Sequence, residues 1–203
     1  MIELSKVTLV CIDCLNHLGA IKAILKSVEG IKFANVLFLT DKLFYSDKCK
    51  SITIDRIKSK KEYSYFMMTK LNEFIDTDFC LVIQYDGYVI NPELWTDDFL
   101  NYDYIGAPWW YDENNVGNGG FSLRSKKLLT ALSEMNLQES DVESYHPEDD
   151  LICRKYGNVL KEKGFKFAPT LIAKQFSYEP NVKREPFKNH TFGFHGVPNL
   201  ILR

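Results

Sequence analysis

No apolar run in this chain approaches the ~20 residues needed to cross a bilayer. The N-terminus, MIELSKVTLVCIDCLNHLG, holds a short apolar stretch but no basic leading region or small-residue cleavage site, so no secretory leader is expected. Cysteine is sparse and odd in number: Cys11, Cys14, Cys49, Cys80 and Cys153. That usage favours a reducing, cytoplasmic setting. Cys11 and Cys14 have CxxC spacing, but the second pair that a zinc site would need is missing, so structural thiols are expected. The Gly-Lys-Ser/Thr ending of a phosphate-binding P-loop is absent, and no GxGxxG follows the first strand. P-loop and ordinary dinucleotide enzymes are thereby disfavoured. Repeats, low-complexity tracts and linkers are lacking too, so a single domain over residues 1–203 is the economical reading.

What is present is a soluble globular composition: 203 residues, 45% hydrophobic, 26% charged, net charge −2. The small net charge hides segregation. Residues 1–70 carry 12 Lys/Arg against 7 Asp/Glu, residues 71–151 carry 3 against 17, and residues 152–203 carry 10 against 3. The acidic middle also holds Trp95, Trp109 and Trp110. This argues against a nucleic-acid face there and is compatible with a metal or polyol site, although most of its carboxylates are expected to be solvated surface. The basic flanks, with Lys58, Lys60, Lys61, Lys183, Arg184 and Lys188, are compatible with peripheral contact with a membrane or with plain solvation.

Lys6–Ile12, Asn35–Thr40, Ser51–Ile54 and Phe79–Gln84 read as buried strands. Between them, Leu15, Leu18, Ile21, Leu25 and Val28 recur at helical spacing before Gly30, and Glu62–Ile75 fits a second helix. Strands alternating with helices predict a largely parallel sheet with covered faces. Further on, Gly120–Leu123 reads as a strand, Lys126–Met135 and Pro147–Gly164 as helices, Phe165–Phe167 and Leu171–Phe176 as short strands, and 179–203 as an irregular tail.

Open α/β sheets bind ligands at the carboxyl ends of their strands. Gln84-Tyr85-Asp86 follows the most hydrophobic strand, where a carboxylate can take a hard divalent cation or simply begin an Asp86-Gly87 turn. Gly117-Asn118-Gly119-Gly120-Phe121-Ser122-Leu123-Arg124 allows close backbone approach or positive φ, or else forms a hairpin loop. In Pro147-Glu148-Asp149-Asp150 at a helix start, at most two carboxylates can face one site, and acid/base work competes with capping. His195, flanked by Phe194 and Gly196, suits an Mn²⁺-type ion or a structural role. Trp109 and Trp110 can cover sugar faces or pack into the core.

In their order along the chain, Gln-x-Asp, Gly-Ala-Pro-Trp, GNGGFSLR, PEDD and FGFHG resemble a family of small glycosyltransferase-like domains found often in bacterial surface-polysaccharide gene clusters. The resemblance spans roughly residues 79–196. It implies an α/β, GT-A-like (Rossmann-like) fold: a mostly parallel central sheet flanked by helices, with a smaller mixed C-terminal part. Residues 1–90 would form the nucleotide-sugar-binding half and residues 91–203 the acceptor and catalytic half. It implies transfer from a nucleotide-sugar, a UDP-sugar first, to a glycan or lipid-linked glycan acceptor, with no nucleic-acid partner. Mn²⁺ or Mg²⁺ would sit on Asp86 and His195, with Gln84 standing where the family's first carboxylate falls. Glu148 and Asp149 are similar to the Glu-Asp pair of inverting galactosyltransferases, in which the Asp deprotonates the acceptor. Gln84, Trp109, Trp110, Asn118, Gly119 and Gly120 would bind substrate. The competing readings are a non-catalytic nucleotide-sugar or carbohydrate-binding module on the same fold, a nucleotidyltransferase and an acidic interaction domain.

Overall fold

The structure is a computed structural model and describes residues 1–109, 116–142, 147–180 and 190–196. Strands β1 (Ile2–Ile12), β2 (Ile31–Thr40), β3 (Lys50–Thr53) and β4 (Phe79–Ile83) run parallel in the spatial order β3-β2-β1-β4. Two further strands, β5 (Tyr104–Gly106) and β6 (Ser122–Ser125), extend the sheet beyond β4. There β6 pairs antiparallel with β4, and β5 antiparallel with β6. The alternation of the central strands splits the core in two. Leu9, Cys11, Leu81 and Ile83 face one side, and Val10, Ile12, Cys80 and Val82 the other. Apolar residues on both faces are what a sheet covered on both sides requires. This is the α/β, GT-A-like arrangement expected from the sequence.

Helix α1 (His17–Ser27) starts where the Asn16 side chain accepts from Gly19 N–H at 3.1 Å. Its buried stripe is Ala20, Ala23, Ile24 and Ser27; of the predicted face, Ile21 and Val28 pack partly against the core, while Leu15, Leu18 and Leu25 are exposed. Both stripes have helical period. The small residues win because they let the helix seat closely on β1, and Ser27 Oγ accepts from Val89 N–H at 3.2 Å. Helix α2 (Lys60–Thr69) is capped by Ser59, which accepts from Glu62 N–H. It ends at Lys70 and gives way to a 3₁₀ turn over Leu71–Phe74, so the predicted single helix to Ile75 is broken. Helix α3 is Lys126–Ser133, capped by Ser125.

The predicted long helix over 147–164 is three pieces: α4 (Glu148–Asp150), a π-helical turn (Leu151–Lys155) and α5 (Gly157–Glu162). The wide turn is closed by Tyr156 N–H donating to Leu151 O at 2.8 Å. Leu171–Phe176, expected as a strand, belongs to helix α6 (Thr170–Phe176), whose Ala173 and Phe176 point inward at helical spacing. The tail is not wholly irregular: β7 (Ser177–Tyr178) pairs parallel with β8 (Gly193–Phe194). An aromatic cluster holds β8 in place. Phe192 packs edge-on against Trp95 at 5.2 Å and lies within about 6 Å of Phe99, Phe121 and Phe176. Gly193 fits because a Cβ there would lie 2.1 Å from the Phe121 ring. All five cysteines are free thiols, with Cys11, Cys14 and Cys80 buried.

Candidate active site

At the carboxyl end of β4 the backbones of Gln84 and Gly87 donate to each other, at 3.0 and 3.1 Å, closing a turn around Tyr85-Asp86. The turn and the site readings of this segment are therefore one feature, since the turn is what presents Asp86. The strand β8 segment is clipped to it. Gly196 N–H donates to Asp86 O at 2.9 Å, and His195 N–H donates to Tyr178 O at 2.9 Å. His195 Nε2 lies 3.2 Å from Gln84 Oε1 and 3.7 Å from Asp86 Oδ1, and its Nδ1 lies 3.6 Å from Glu179 Oε1. The ring needs glycine beneath it: a Cβ at Gly120 would stand 2.1 Å from Nε2. Gly120 has no positive φ, so close approach is what this loop uses its glycines for. Burial pulls the His195 pKa down, but Glu179, Asp86 and Asp149 outweigh it and the net direction is up.

Behind the loop lies a second charged group, fully packed. Arg124 on β6 is completely buried and donates to Glu148 Oε1 at 2.9 Å, to Ser122 Oγ at 3.0 Å and to Gly119 O at 3.4 Å. Glu148 N–H donates to Ser64 Oγ on α2 at 3.2 Å. Asp149 accepts from Gly119 N–H and from its neighbour Asp150 N–H, both at 2.8 Å. Burial, and then the Glu148 charge, push the Asp149 carboxyl up to about 7, against the downward pull of those two N–H donors and Arg124. A carboxylate so placed takes up and releases a proton near neutrality.

A cavity of about 520 Å³ opens over these groups, within the range of small-ligand pockets. One wall is Asp13, Leu15 and Asn16 after β1, and another is Ile57, Lys60 and Tyr63. Gln84, Asn118, Gly120, Glu148, Asp149 and His195 all reach it. Asp86 and Gly119 stand one contact away, against His195 and Asp149. Asn118 Nδ2 donates to Glu179 at 2.7 Å, while its Oδ1 accepts from Gly120 N–H. Trp109 packs elsewhere: its ring covers Gly117 and carries the Arg154 guanidinium at 4.5 Å. Trp110 lies outside the described residues.

Asp86 Oδ1 is buried with no hydrogen-bond partner among the described residues, and His195 Nε2 faces it. In this geometry Nε2 donates to Gln84 Oε1, so it would serve a metal by giving up that proton, with the other held on Nδ1 toward Glu179. This oxygen and nitrogen fit a divalent ion of the Mn²⁺ or Mg²⁺ type. Among the described residues no group of three or more His, Cys, Asp and Glu side chains is arranged to hold a metal, so other ligands would have to come from substrate or water.

Three site residues escaped the sequence reading. An Arg at position 124 within an otherwise short, buried strand signals a buried carboxylate partner, because a charge cannot be left alone in the core. Tyr63, whose hydroxyl accepts from Gln84 Nε2 at 3.1 Å, and Glu179 carried no local signal.

Residues 47–195 match the family described as "Protein of unknown function (DUF5672)". The chain belongs to this family. No protein of curated function matches the DUF5672 chain. Its fold is similar to that of the galactosyltransferase LgtC, solved with donor and acceptor sugar analogues, at TM-score 0.54 and 15% identity, covering 93% of this chain and 86% of that one. A glycosyltransferase involved in glycosylation of the major capsid of PBCV-1 gives 0.53 and 15%, covering 93% and 91%. The apo glycosyltransferase GlyE of Streptococcus pneumoniae TIGR4 gives 0.51 and 14%, but this chain covers only 54% of it. At these identities the likeness is one of fold. Among the described residues no helix is long and apolar enough to cross a membrane.

Proposed function

We propose that this DUF5672 chain is a single-domain glycosyltransferase that moves a sugar from a nucleotide-sugar, a UDP-sugar in the first instance, to a glycan acceptor. The supporting observation is the convergence of Gln84, Asn118, Gly120, Glu148, Asp149 and His195 on one cavity at the carboxyl ends of β1 and β4, within a GT-A-like fold. Residues 1–90 supply the β1 and α2 walls for the nucleotide, and residues 91–203 supply the acceptor and catalytic side.

Asp149 accepts the proton of the acceptor hydroxyl as that oxygen bonds to the anomeric carbon. The bond from that carbon to the diphosphate oxygen breaks on the opposite face, through an oxocarbenium-like transition state. A single displacement of this kind inverts the anomeric configuration. Glu148, held by Arg124, raises the proton affinity of Asp149. Gln84, Asn118 and the Gly119-Gly120 backbone shape the sugar's seat. A divalent cation on Asp86 and His195, when bound, neutralises charge developing on the leaving diphosphate. The pathway is bacterial surface-polysaccharide assembly in the cytoplasm, and with a lipid-linked acceptor the enzyme works at the inner face of the membrane.

The test is incubation with a panel of nucleotide-sugars and Mn²⁺, read by thermal shift and by nucleotide release. A ligand that binds the native state must raise its melting temperature. The expected result is stabilisation by UDP-sugars and slow UDP release without acceptor. Stabilisation without release in the presence of glycan acceptors would assign the non-catalytic sugar-binding module. No stabilisation by any nucleotide would end the reading.

A further inference from the structure

Helix α1 turns the wrong face outward for a helix bathed only in water. Leu18, Lys22 and Leu25 recur at i, i+4 and i+7 on its outer side, with Leu18 75% exposed. At its start Leu15 is exposed as well. The loop after β2 adds Leu43 and Tyr45, the latter 92% exposed. The two segments meet at the first turn of α1. Phe44 lies between Leu43 and Tyr45, and its ring rests 5.6 Å from that of His17 at the first turn of α1. His17 Nε2 meets Asp41 at 2.7 Å, and Asp41 also draws Arg56 to 3.6 Å. Large apolar side chains gathered like this on one face mark an interaction surface.

The segment that follows β2 is basic. Residues 42–61 hold seven Lys/Arg and two Asp. Lys22 on α1 and Lys42 and Lys58 in this segment are exposed and have no ion-pair partner among the described residues. Leucine and tyrosine interleaved with lysine are the chemistry of a surface that inserts shallowly among acyl chains while its cations meet anionic headgroups. The cores of protein–protein interfaces are depleted in lysine, whereas here lysines stand among the apolar side chains. This surface also meets the cavity, since Leu15 lies on one of its walls and Ile57 and Lys60 on another.

We infer that the outer face of α1 and the Leu43–Tyr45 loop form a docking surface for an anionic lipid bilayer, which sets the cavity mouth at headgroup level. The inference goes beyond the transferase reading, because it rests on exposure and charge and would survive the failure of that reading.

The full chain is mixed with phosphatidylcholine vesicles, with and without phosphatidylglycerol, and spun. Binding is expected only with the anionic lipid. It should be lost when salt rises from about 0.1 M to about 1 M, which shortens the Debye length from about 10 to about 3 Å. Lys42→Glu and Lys22→Glu should each weaken the partition about fivefold or more. Leu18→Asp should weaken it about tenfold, with the melting temperature unchanged. Any donor hydrolysis free in solution should be unaffected by these changes, which lie outside the cavity. Equal sedimentation with neutral and anionic vesicles, or partition indifferent to all three variants, overturns the proposal. So does a dimer in light scattering that Leu18→Asp dissolves without vesicle binding by the wild type, because the face would then belong to a second copy. Vesicle binding without turnover of any nucleotide-sugar would leave docking standing and the transferase reading fallen.

Discussion

Two charged groups meet at the cavity, and they are finished to different degrees. In the floor, Arg124, Glu148, Asp149, Ser122 and the Gly119 backbone bind one another at 2.8–3.4 Å, and Glu148 is tied on to α2 through Ser64. Arg124 Nη1 is buried without a partner there among the described residues, on a guanidinium held through its other two nitrogens. In the corner, Asp86 Oδ1 and His195 Nδ1 are buried without a hydrogen bond among the described residues. Buried polar atoms are normally satisfied, and Nδ1 at least has the Glu179 carboxylate 3.6 Å away, so the open Asp86 oxygen is what shapes the corner for something yet to arrive. The floor is preformed by the chain, and the corner is completed by a ligand. Substitutions in the floor should therefore strike chemistry or stability directly, whereas substitutions in the corner should strike ligand affinity and spare the fold.

The sharpest test is in the floor. Asp149→Asn keeps the shape and the acceptor oxygen for Gly119 N–H but removes the base. Turnover should fall about 10²–10⁴-fold, the usual contribution of a general base, while donor affinity by calorimetry holds. Near-full activity in this variant would detach the chemistry from the floor. Next comes Arg124→Met, which strands the Glu148 carboxylate in a site where it is 4% exposed. Breaking one side of a buried pair costs about 3–5 kcal/mol, measurable by urea unfolding. Adding Glu148→Met should restore much of that loss, because no lone charge then remains. If the single variant unfolds like the wild type, the floor is not held as described.

In the corner the expected effects are on metal and donor. Asp86→Ala should remove any strengthening of UDP binding by Mn²⁺ in calorimetry, with a melting temperature equal to or above that of the wild type. Glu179→Gln should weaken Mn²⁺ about 10–100-fold, the range for the outer partner of a metal-bound histidine. Unchanged UDP affinity with and without Mn²⁺ in the wild type would break the comparison, leaving the corner as an unusual piece of packing.

What could be read from the sequence follows the same divide. The central strands were legible because buried parallel strands are continuous apolar runs, and Asp86, Glu148, Asp149 and His195 because each sits in a short polar or glycine-rich segment flanking such a run. The inner stripe of α1 was not legible, since leucines and alanines repeat with the same period and only the closeness of β1 decides between them. Nor was Leu171–Phe176, where six residues are too few for a period to separate strand from helix. Glu179 reaches His195 from a segment with no pattern of its own, so only the fold brings it to the site.

The smallest effect is also the one that links floor and function through a proton. Asp149 has its carboxyl raised to about 7 in the folded chain, against about 3.8 for an ordinary aspartate. Between those values the folded state holds a proton that the unfolded state has released. Stability from this group is thus fully present below about pH 4, declines as pH rises toward 7, and is flat above. Activity runs the other way, because the base must be ionised to accept a proton, so turnover should climb through pH 7. In Asp149→Asn the residual turnover should lose that rise, and thermal unfolding followed from pH 5 to 8 should lose this part of its slope. The two curves must change together. A pH–rate profile that still climbs through 7 in the asparagine variant would assign the titration to His195 or another group and leave Asp149 a structural member of the floor.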